Sequence, residues 1–413
     1  MSFDFTSHLR ANLPTPVPAP FSGYPEFYFV GGNNDADSLP LTKFGDIAKS
    51  ILEREGKGLA KYGMGHGPQG YRPLREVVQK NLKIRAGLTC SVDEILVTSG
   101  SLQAIDFVNQ LLVDPGDTVL IEEACYGGVV ARLKKLGANV IGIDLDQDGM
   151  STDHLELVLA DLKNKGVRPK YIFTIPTIQN PSGSVMTLER RLTLLDLSKT
   201  YDVPIFEDDC YADLLWEGER PPAIRALDTT GRVIYCGSFS KSIAPAFRVG
   251  YLVADWAIIA QILPSKTDGG TGALEQMVLA EYASAHFDQH VNDLQKVLSD
   301  KCQTMANSLN EHFGATAEFT IPKGGIFIWI TVPNSINTSE LAAAALADGV
   351  AINPGAEWAA DPATGLNRLR LCFASPSKQQ IKDGVKKLAE ICYRKTGLPE
   401  RGSNIIREAS SKS

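Results

Sequence analysis

Nowhere in the 413 residues do about 18 apolar side chains run without interruption, so no membrane-spanning helix is expected. The stretch Met1 to Pro20 lacks the basic segment and apolar core of a signal peptide, which argues against export. Basic charge is short as well. With 41 Lys and Arg against 48 Asp and Glu, the formal charge is -7, and no global field draws the chain onto nucleic acid or an anionic bilayer. Any phosphate contact has to be local. The seven cysteines (Cys90, Cys125, Cys210, Cys236, Cys302, Cys372, Cys392) contain no CxxC pair and no Cys/His cluster at zinc spacing. They read as reduced thiols of a cytoplasmic protein. No internal repeat occurs, only the tail from Gly397 approaches low complexity, and the closing Ser411-Lys412-Ser413 lacks the leucine of a peroxisomal ending.

What is present is length and apolar content, 44% hydrophobic, enough for two or three domains with real cores. Leu13 to Pro20 places proline at every second position, the pattern of an extended arm. Such an arm is either a flexible leader or a strap docked on a partner subunit. Seven short apolar runs follow: Glu94 to Ser99, Thr118 to Ala124, Asn139 to Leu145, Tyr171 to Thr177, Val203 to Asp209, Val233 to Phe239 and Arg248 to Ala254. Amphipathic segments such as Leu102 to Val113 and Leu188 to Tyr201 separate them. Continuous apolar strands alternating with helices predict an α/β domain with a mainly parallel, seven-stranded sheet covered by helices. Beyond it, Gly272 to Phe313 reads as one or two helices. Short strands at Phe319 to Ile321, Ile326 to Val332 and Leu369 to Phe373, with helices near Ser339 to Asp348 and Lys378 to Lys395, predict a smaller α+β domain. The expected division is an arm and part of the small domain over 1–50, a large cofactor domain over 51–290, and a small domain over 291–413.

Chemistry concentrates at strand ends. Cys236-Gly237-Ser238-Phe239-Ser240-Lys241 puts a lysine just after an apolar run, with Arg248 seven residues on. In open α/β sheets ligands bind beyond the carboxyl ends of strands. A lysine desolvated there loses its proton readily and becomes a nucleophile, and the two serines and the arginine suit a phosphate. An ordinary surface lysine would not need that company. Ile205 to Tyr211 ends another run on acids, and Pro176 to Gly183 ends a third on a turn rich in Asn, Pro and Gly. Taken singly, solvated acids and a turn-forming Asn180 are the simpler readings.

The ordered set is more specific. Thr98-Ser99-Gly100-Ser101-Leu102-Gln103, Asn180-Pro181-Ser182-Gly183, Asp208-Asp209-Cys210-Tyr211 and Ser238-Phe239-Ser240-Lys241 with Arg248 occur in that order. So do Tyr62 to Tyr71, Pro322 to Phe327 and Asn367 to Leu371. The set resembles the fold-type I pyridoxal phosphate enzymes, and within them the class I/II aminotransferases of the kynurenine/2-aminoadipate and aromatic branch, over about Tyr28 to Lys395.

The resemblance implies pyridoxal 5'-phosphate as cofactor and transfer of an amino group between an amino acid and a 2-oxo acid by a ping-pong mechanism through a Lys241 Schiff base. It implies that Asp208 pairs with the pyridine nitrogen, that Asn180 and Tyr211 hydrogen-bond the phenolic oxygen, and that Tyr126 stacks on the ring. Gly100, Ser101 and Leu102 at a helix start, with Ser238, Ser240 and Arg248, would cradle the phosphate. Tyr62 resembles the tyrosine supplied by a neighbouring subunit, implying a homodimer with shared sites. Arg370 resembles the residue that grips the substrate carboxylate, with Gly32 and Asn180 beside it.

Several positions depart from the family's usual wording. Gly31 to Asp35 lacks a common proline, Ala124 stands where proline often does, Leu102 replaces a polar residue, and Gln295 replaces an arginine. The departures near Gly32 and at Leu102 leave open a lyase, synthase or oxidase on the same fold. A non-catalytic sensor would need some 60–80 further amino-terminal residues of basic helix-turn-helix character, where this sequence has the proline arm. His286 and His290 have metal-binding spacing but lack accompanying ligands, and read as helix surface; no metal is expected. Tyr24, Phe27, Tyr28 and the loop Asp268 to Gly272 are candidate walls of the substrate side-chain pocket.

Overall fold

The protein's structure, a computed structural model, describes residues 3–9, 13, 16, 17 and 19–399. Pro14, Thr15 and Pro18 of the proline arm, and Ser411-Lys412-Ser413, therefore fall outside the described residues. All seven apolar runs join one sheet. Its strands are β1 (Ile95–Thr98), β2 (Thr118–Glu122), β3 (Asn139–Ile143), β4 (Ile172–Thr174), β5 (Ile205–Asp208), β6 (Val233–Ser238) and β7 (Gly250–Val253), in the spatial order β1-β7-β6-β5-β4-β2-β3. Every neighbouring pair is parallel except those of β7, which runs against both β1 and β6.

Alternate residues of each strand feed different cores. Ile95, Val97, Tyr235 and Val253 pack beneath the helices Arg72–Ala86 and Ala273–His312, whereas Leu96, Ile234, Cys236 and Leu252 enter a larger cluster on the opposite face. Burial on both faces is why these strands are unbroken apolar runs rather than alternating ones. Helix starts follow capping chemistry: Thr187 accepts from the Arg190 N–H, and Ser377 forms a reciprocal box with Gln380.

The proline-free stretch after Gly272 forms one 40-residue helix, Ala273–His312. Its first half packs in one core (Met277 to Val291) and its second in the other (Leu294 to Leu309), so the expected division at 290/291 falls within a continuous helix. No helix among the described residues is long and apolar enough to cross a membrane.

A second, antiparallel sheet has the order β8-β10-β9, from β8 (Phe327–Thr331), β9 (Asn353–Pro354) and β10 (Arg368–Cys372), with Arg370 in the middle strand opposite Trp329 and Asn353. The strand expected at Phe319 to Ile321 does not form. A single bridge links Glu318 to Thr331, and Pro322, which has no N–H, stops the ladder from extending. Two-residue strands at Phe27–Tyr28 and Val350–Ala351, which pair in parallel, carry no sequence period to reveal them.

Candidate active site

The carboxyl ends of β4, β5 and β6 meet the middle strand of the second sheet. Lys241, three residues past β6, donates from Nζ to the Gly32 carbonyl at 2.7 Å. Burial pushes its amine down to about 8, and the Arg370 and Arg248 cations act in the same direction. A Cβ on Gly32 would displace Nζ from this contact. Asp208 closes β5 and is 5% exposed. Its Oδ1 accepts from the Cys210 N–H at 3.2 Å, no Lys, Arg or His among the described residues pairs with it, and burial lifts its carboxyl to about 6. A buried carboxylate at a strand end with no cation is suited to receive one.

Asn180 ties the cluster together. Its Nδ2 donates to the Tyr211 hydroxyl at 3.3 Å, and its Oδ1 accepts from Arg370 Nη1 at 2.9 Å. Arg370, 3% exposed, also donates from Nη2 to the Gly31 carbonyl at 3.1 Å. Its guanidinium carbon lies 3.8 Å from the centre of the Trp358 ring and 5.1 Å from that of Phe327. The Nε of this buried cation has no partner.

The helix Ser101–Leu112 starts at Gly100 (φ 81°) with no side-chain cap, which leaves the Ser101 and Leu102 N–H groups open to an anion, while the Gln103 N–H donates to the Gly100 carbonyl. Two glycines keep the approach clear. A Cβ on Gly250 would sit 2.7 Å from the Gly100 carbonyl carbon and 2.8 Å from Ser101 N, and one on Gly100 would strike the Arg248 guanidinium. Arg248 donates from Nη2 to the Ser99 carbonyl at 3.2 Å, and Ser238 Oγ accepts from Ser240 N–H at 3.1 Å. Amide N–H groups, hydroxyls and a guanidinium are thus gathered at this helix start.

The family model for aminotransferase class I and II matches residues 32–388. The chain belongs to this family. It is 34% identical over 364 residues to aromatic-amino-acid aminotransferase 1 of Thermococcus litoralis, covering 87% of this chain and 86% of that one. A crystal structure of Pyrococcus horikoshii kynurenine aminotransferase, solved in complex with PMP, superposes with a TM-score of 0.84 at 34% identity over 89% of this chain and 91% of that chain. An uncharacterized HTH-type transcriptional regulator of Bacillus subtilis, YdfD, is 32% identical over 86% of this chain and 72% of its own length.

As an aminotransferase the chain is a transferase that depends on pyridoxal phosphate, and the residues present fit that cofactor. Asp208 offers an unpaired buried carboxylate for a protonated ring nitrogen, Lys241 a depressed amine, and the Gly100 cradle room for phosphate. Tyr126 lies just past β2 with its ring 5.8 Å from that of Trp358. Tyr62 is the expected cofactor contact that is not gathered into the cluster. It is 93% exposed and borders, with Gly269 and Thr271, a cavity of about 350 Å³. Thr271 in turn meets Ser99 at the cradle, Oγ to Oγ1 3.4 Å.

The departures from family wording have local explanations. Leu102 packs against the core, and Gln295 donates to the carbonyls of Asp213 and Leu215 at 2.8 and 2.9 Å. Asn34 donates to the Ile243 carbonyl at 3.1 Å, bracing the Lys241 segment, and Asp35 pairs with Lys301 at 2.5 Å. Of the candidate pocket walls, Tyr24 and Tyr28 pack ring to ring at 4.5 Å, while Asp268 accepts from Gln103 Nε2 at 2.7 Å on the phosphate side. His286 and His290 both contact the Tyr282 ring. Among the described residues, the group of potential metal ligands is Asp208, Cys210 and Cys236, inside the cofactor site. Contact with Cys236 and burial push the Cys210 thiol well up.

Sequence reading missed Trp358, Gln179 and Glu122. Trp358 sits in no motif. Gln179 lies within Pro176 to Gly183 and Glu122 within the apolar run Thr118 to Ala124, where their neighbours drew the assignment. Glu122 is fully buried with no arginine or lysine paired to it among the described residues, and burial lifts its carboxyl to about 7.

Proposed function

We propose that the chain exchanges an amino group between a primary amino acid and a 2-oxo acid, with Arg370 as receptor of the substrate carboxylate. The observation that carries this reading is the buried Arg370 guanidinium, with one N–H unpartnered, joined through Asn180 to Tyr211 beside Lys241. A planar guanidinium shielded by Trp358 and Phe327 suits a carboxylate that must be oriented.

Pyridoxal phosphate, when bound, supplies the carbonyl carbon and electron-withdrawing ring through which the amino group passes. In this reading the neutral Lys241 amine would take the proton from the substrate alpha carbon and deliver it to the cofactor's carbonyl-derived carbon. Asp208 would hold a proton on the ring nitrogen, keeping the ring electron-withdrawing toward the reacting carbon. Asn180 and Tyr211 hydrogen-bond the phenolic oxygen, and Tyr126 covers a ring face. Backbone N–H groups of Ser101 and Leu102 beside Gly100, with Ser238, Ser240 and Arg248, hold the phosphate. Gly32 brings its backbone against the substrate.

Tyr62 completes the site from a second copy, making the enzyme a homodimer. Its exposure beside a cavity of its own chain supports that reading. We further propose a cytoplasmic enzyme that keeps the arm, large-domain and small-domain division at 50 and 290.

Single-turnover spectroscopy with an amino-acid panel that begins with aromatic residues and kynurenine tests the reaction. The expected result is loss of the bound-cofactor absorbance, release of one equivalent of 2-oxo acid, and recovery on adding a second 2-oxo acid. Consumption of the amino acid with no need for a 2-oxo acid would assign a lyase, synthase or oxidase instead. Lys241→Ala should abolish both the absorbance and turnover.

A further inference from the structure

Asn180 touches both Arg370 and Tyr211, but its own backbone sits in a turn that has to be held. Gln179, 1% exposed, does the holding. Its Nε2 donates to Glu122 Oε2 at 2.9 Å, to the Ala124 carbonyl at 2.7 Å and to the Asn180 carbonyl at 3.2 Å. Its Oε1 accepts from the Ser182 N–H at 2.7 Å. Glu122 divides its carboxylate. Oε1 takes the Thr174 hydroxyl at 2.7 Å and the Ile175 N–H at 3.0 Å, both at the end of β4, and Oε2 takes Gln179. The carboxylate thus links the ends of β2 and β4 to the turn that carries Asn180. It has no arginine or lysine within ion-pair distance among the described residues to account for its presence.

We propose that Glu122 and Gln179 are positioning residues of the transamination site, fixing the Asn180 amide so that Arg370 meets the substrate carboxylate in one orientation. Neither touches substrate or cofactor. The inference rests on the assignment of Arg370 as carboxylate receptor.

Because the two sheet-side bonds share Oε1, Glu122→Gln can keep both and reverse only the third. Its new NH₂ faces the NH₂ of Gln179, donor against donor. Turning the Gln179 amide over cures that clash only by aiming its oxygen at the Ala124 carbonyl and its nitrogen at the Ser182 N–H. The turn therefore shifts whichever way the amide settles. Thr174→Val is the matched control, since it removes a bond from the same carboxylate on the sheet side.

The experiment is steady-state kinetics on the holoenzymes with the amino-acid and 2-oxo acid panel, together with the bound-cofactor absorbance and melting temperature. For Glu122→Gln the expected result is a KM raised about ten-fold for both substrates and kcat changed less than about three-fold, with the bound-cofactor absorbance still present, showing that the cofactor loads. Thr174→Val should leave KM within about two-fold. If Glu122→Gln fails to fold, Gln179→Met, which removes both amide atoms without opposing donors, takes its place with the same expected KM rise. Wild-type turnover with equal KM in the variant, or an equal KM rise in Thr174→Val, overturns the positioning role and leaves the aminotransferase reading standing. A wild-type enzyme that transaminates no member of the panel overturns both.

Discussion

The amine of Lys241 is the group whose state the structure constrains most sharply, and it can be followed through pH. Burial holds it near 8, against an ordinary value of 10.5. At pH 7 an amine with a pKa of 8 is about 9% neutral, whereas one at 10.5 is about 0.03% neutral, so attack on the cofactor aldehyde should be roughly 300-fold faster than for an ordinary lysine. The assay is stopped-flow mixing of apoenzyme with excess pyridoxal phosphate, following the visible absorbance of covalent attachment. The rate should climb about ten-fold per pH unit below 8 and level off above it. Arg370→Gln removes one of the cations that depress the amine, so its midpoint should move up. The stability of the apoenzyme follows the same group. The unfolded chain binds the extra proton between pH 8 and 10.5, so this site contributes nothing to the pH slope below 8. It adds up to about 3 kcal/mol as pH rises through that window. A rate that keeps rising log-linearly to pH 10 would refute the burial argument.

Two further perturbations separate cofactor from substrate binding. Gly250→Ala places a Cβ against the Gly100 and Ser101 backbone, which has no flexible side chain to move aside; the cradle must shift. Pyridoxal phosphate affinity, measured by titration of the apoenzyme, should fall at least about ten-fold while the melting temperature of the apoenzyme changes little; unchanged affinity would place the phosphate elsewhere. Trp358→Leu removes the ring stacked on Arg370, a desolvated cation–π contact of about 2 kcal/mol. KM for the amino donor should rise about ten-fold or more with the bound-cofactor absorbance intact, and a variant with wild-type KM would detach Trp358 from the carboxylate site.

The sheet was legible in the sequence for a physical reason. Burial on both faces writes strands such as Thr118–Glu122 and Val233–Ser238 as unbroken apolar runs that stand out from the helices between them. The reading failed where tertiary pairing rather than pattern decides. Phe319 to Ile321 has strand composition yet is stopped by Pro322, and Phe27–Tyr28 is too short to show a period. Lys241, Asp208, Asn180 and Arg370 were legible through the order of their motifs, and the structure draws all four to one place. Glu122 and Trp358 were not, because their roles depend on bonds to residues 57 positions away at Gln179 and on a ring stacked against a different strand. Tyr62 belongs to a third kind, a residue whose proposed site lies on another copy.

The distribution of buried charge separates the site from the rest of the molecule. Elsewhere among the described residues, several buried charges are met within the chain, although Arg220 Nε, Arg225 Nε and Asp209 Oδ1 also lack a partner. Lys301 meets Asp35 at 2.5 Å, Arg220 meets Asp209 at 2.6 Å, and Arg191 donates to the carbonyls of Met186 and Pro176 and to the Thr177 hydroxyl. Each pairing offsets a desolvation cost that would otherwise destabilise the fold. Around Lys241 the pattern inverts. Asp208 has no cation, Lys241 has only a carbonyl and a depressed amine, and Arg370 leaves a buried donor unmet. These costs cannot be recovered inside the chain, since the groups stand on three separate elements and point at common space rather than at each other. One bound molecule carrying a basic ring nitrogen, an aldehyde and a phosphate, joined by a second carrying an amine and a carboxylate, would satisfy all of them together.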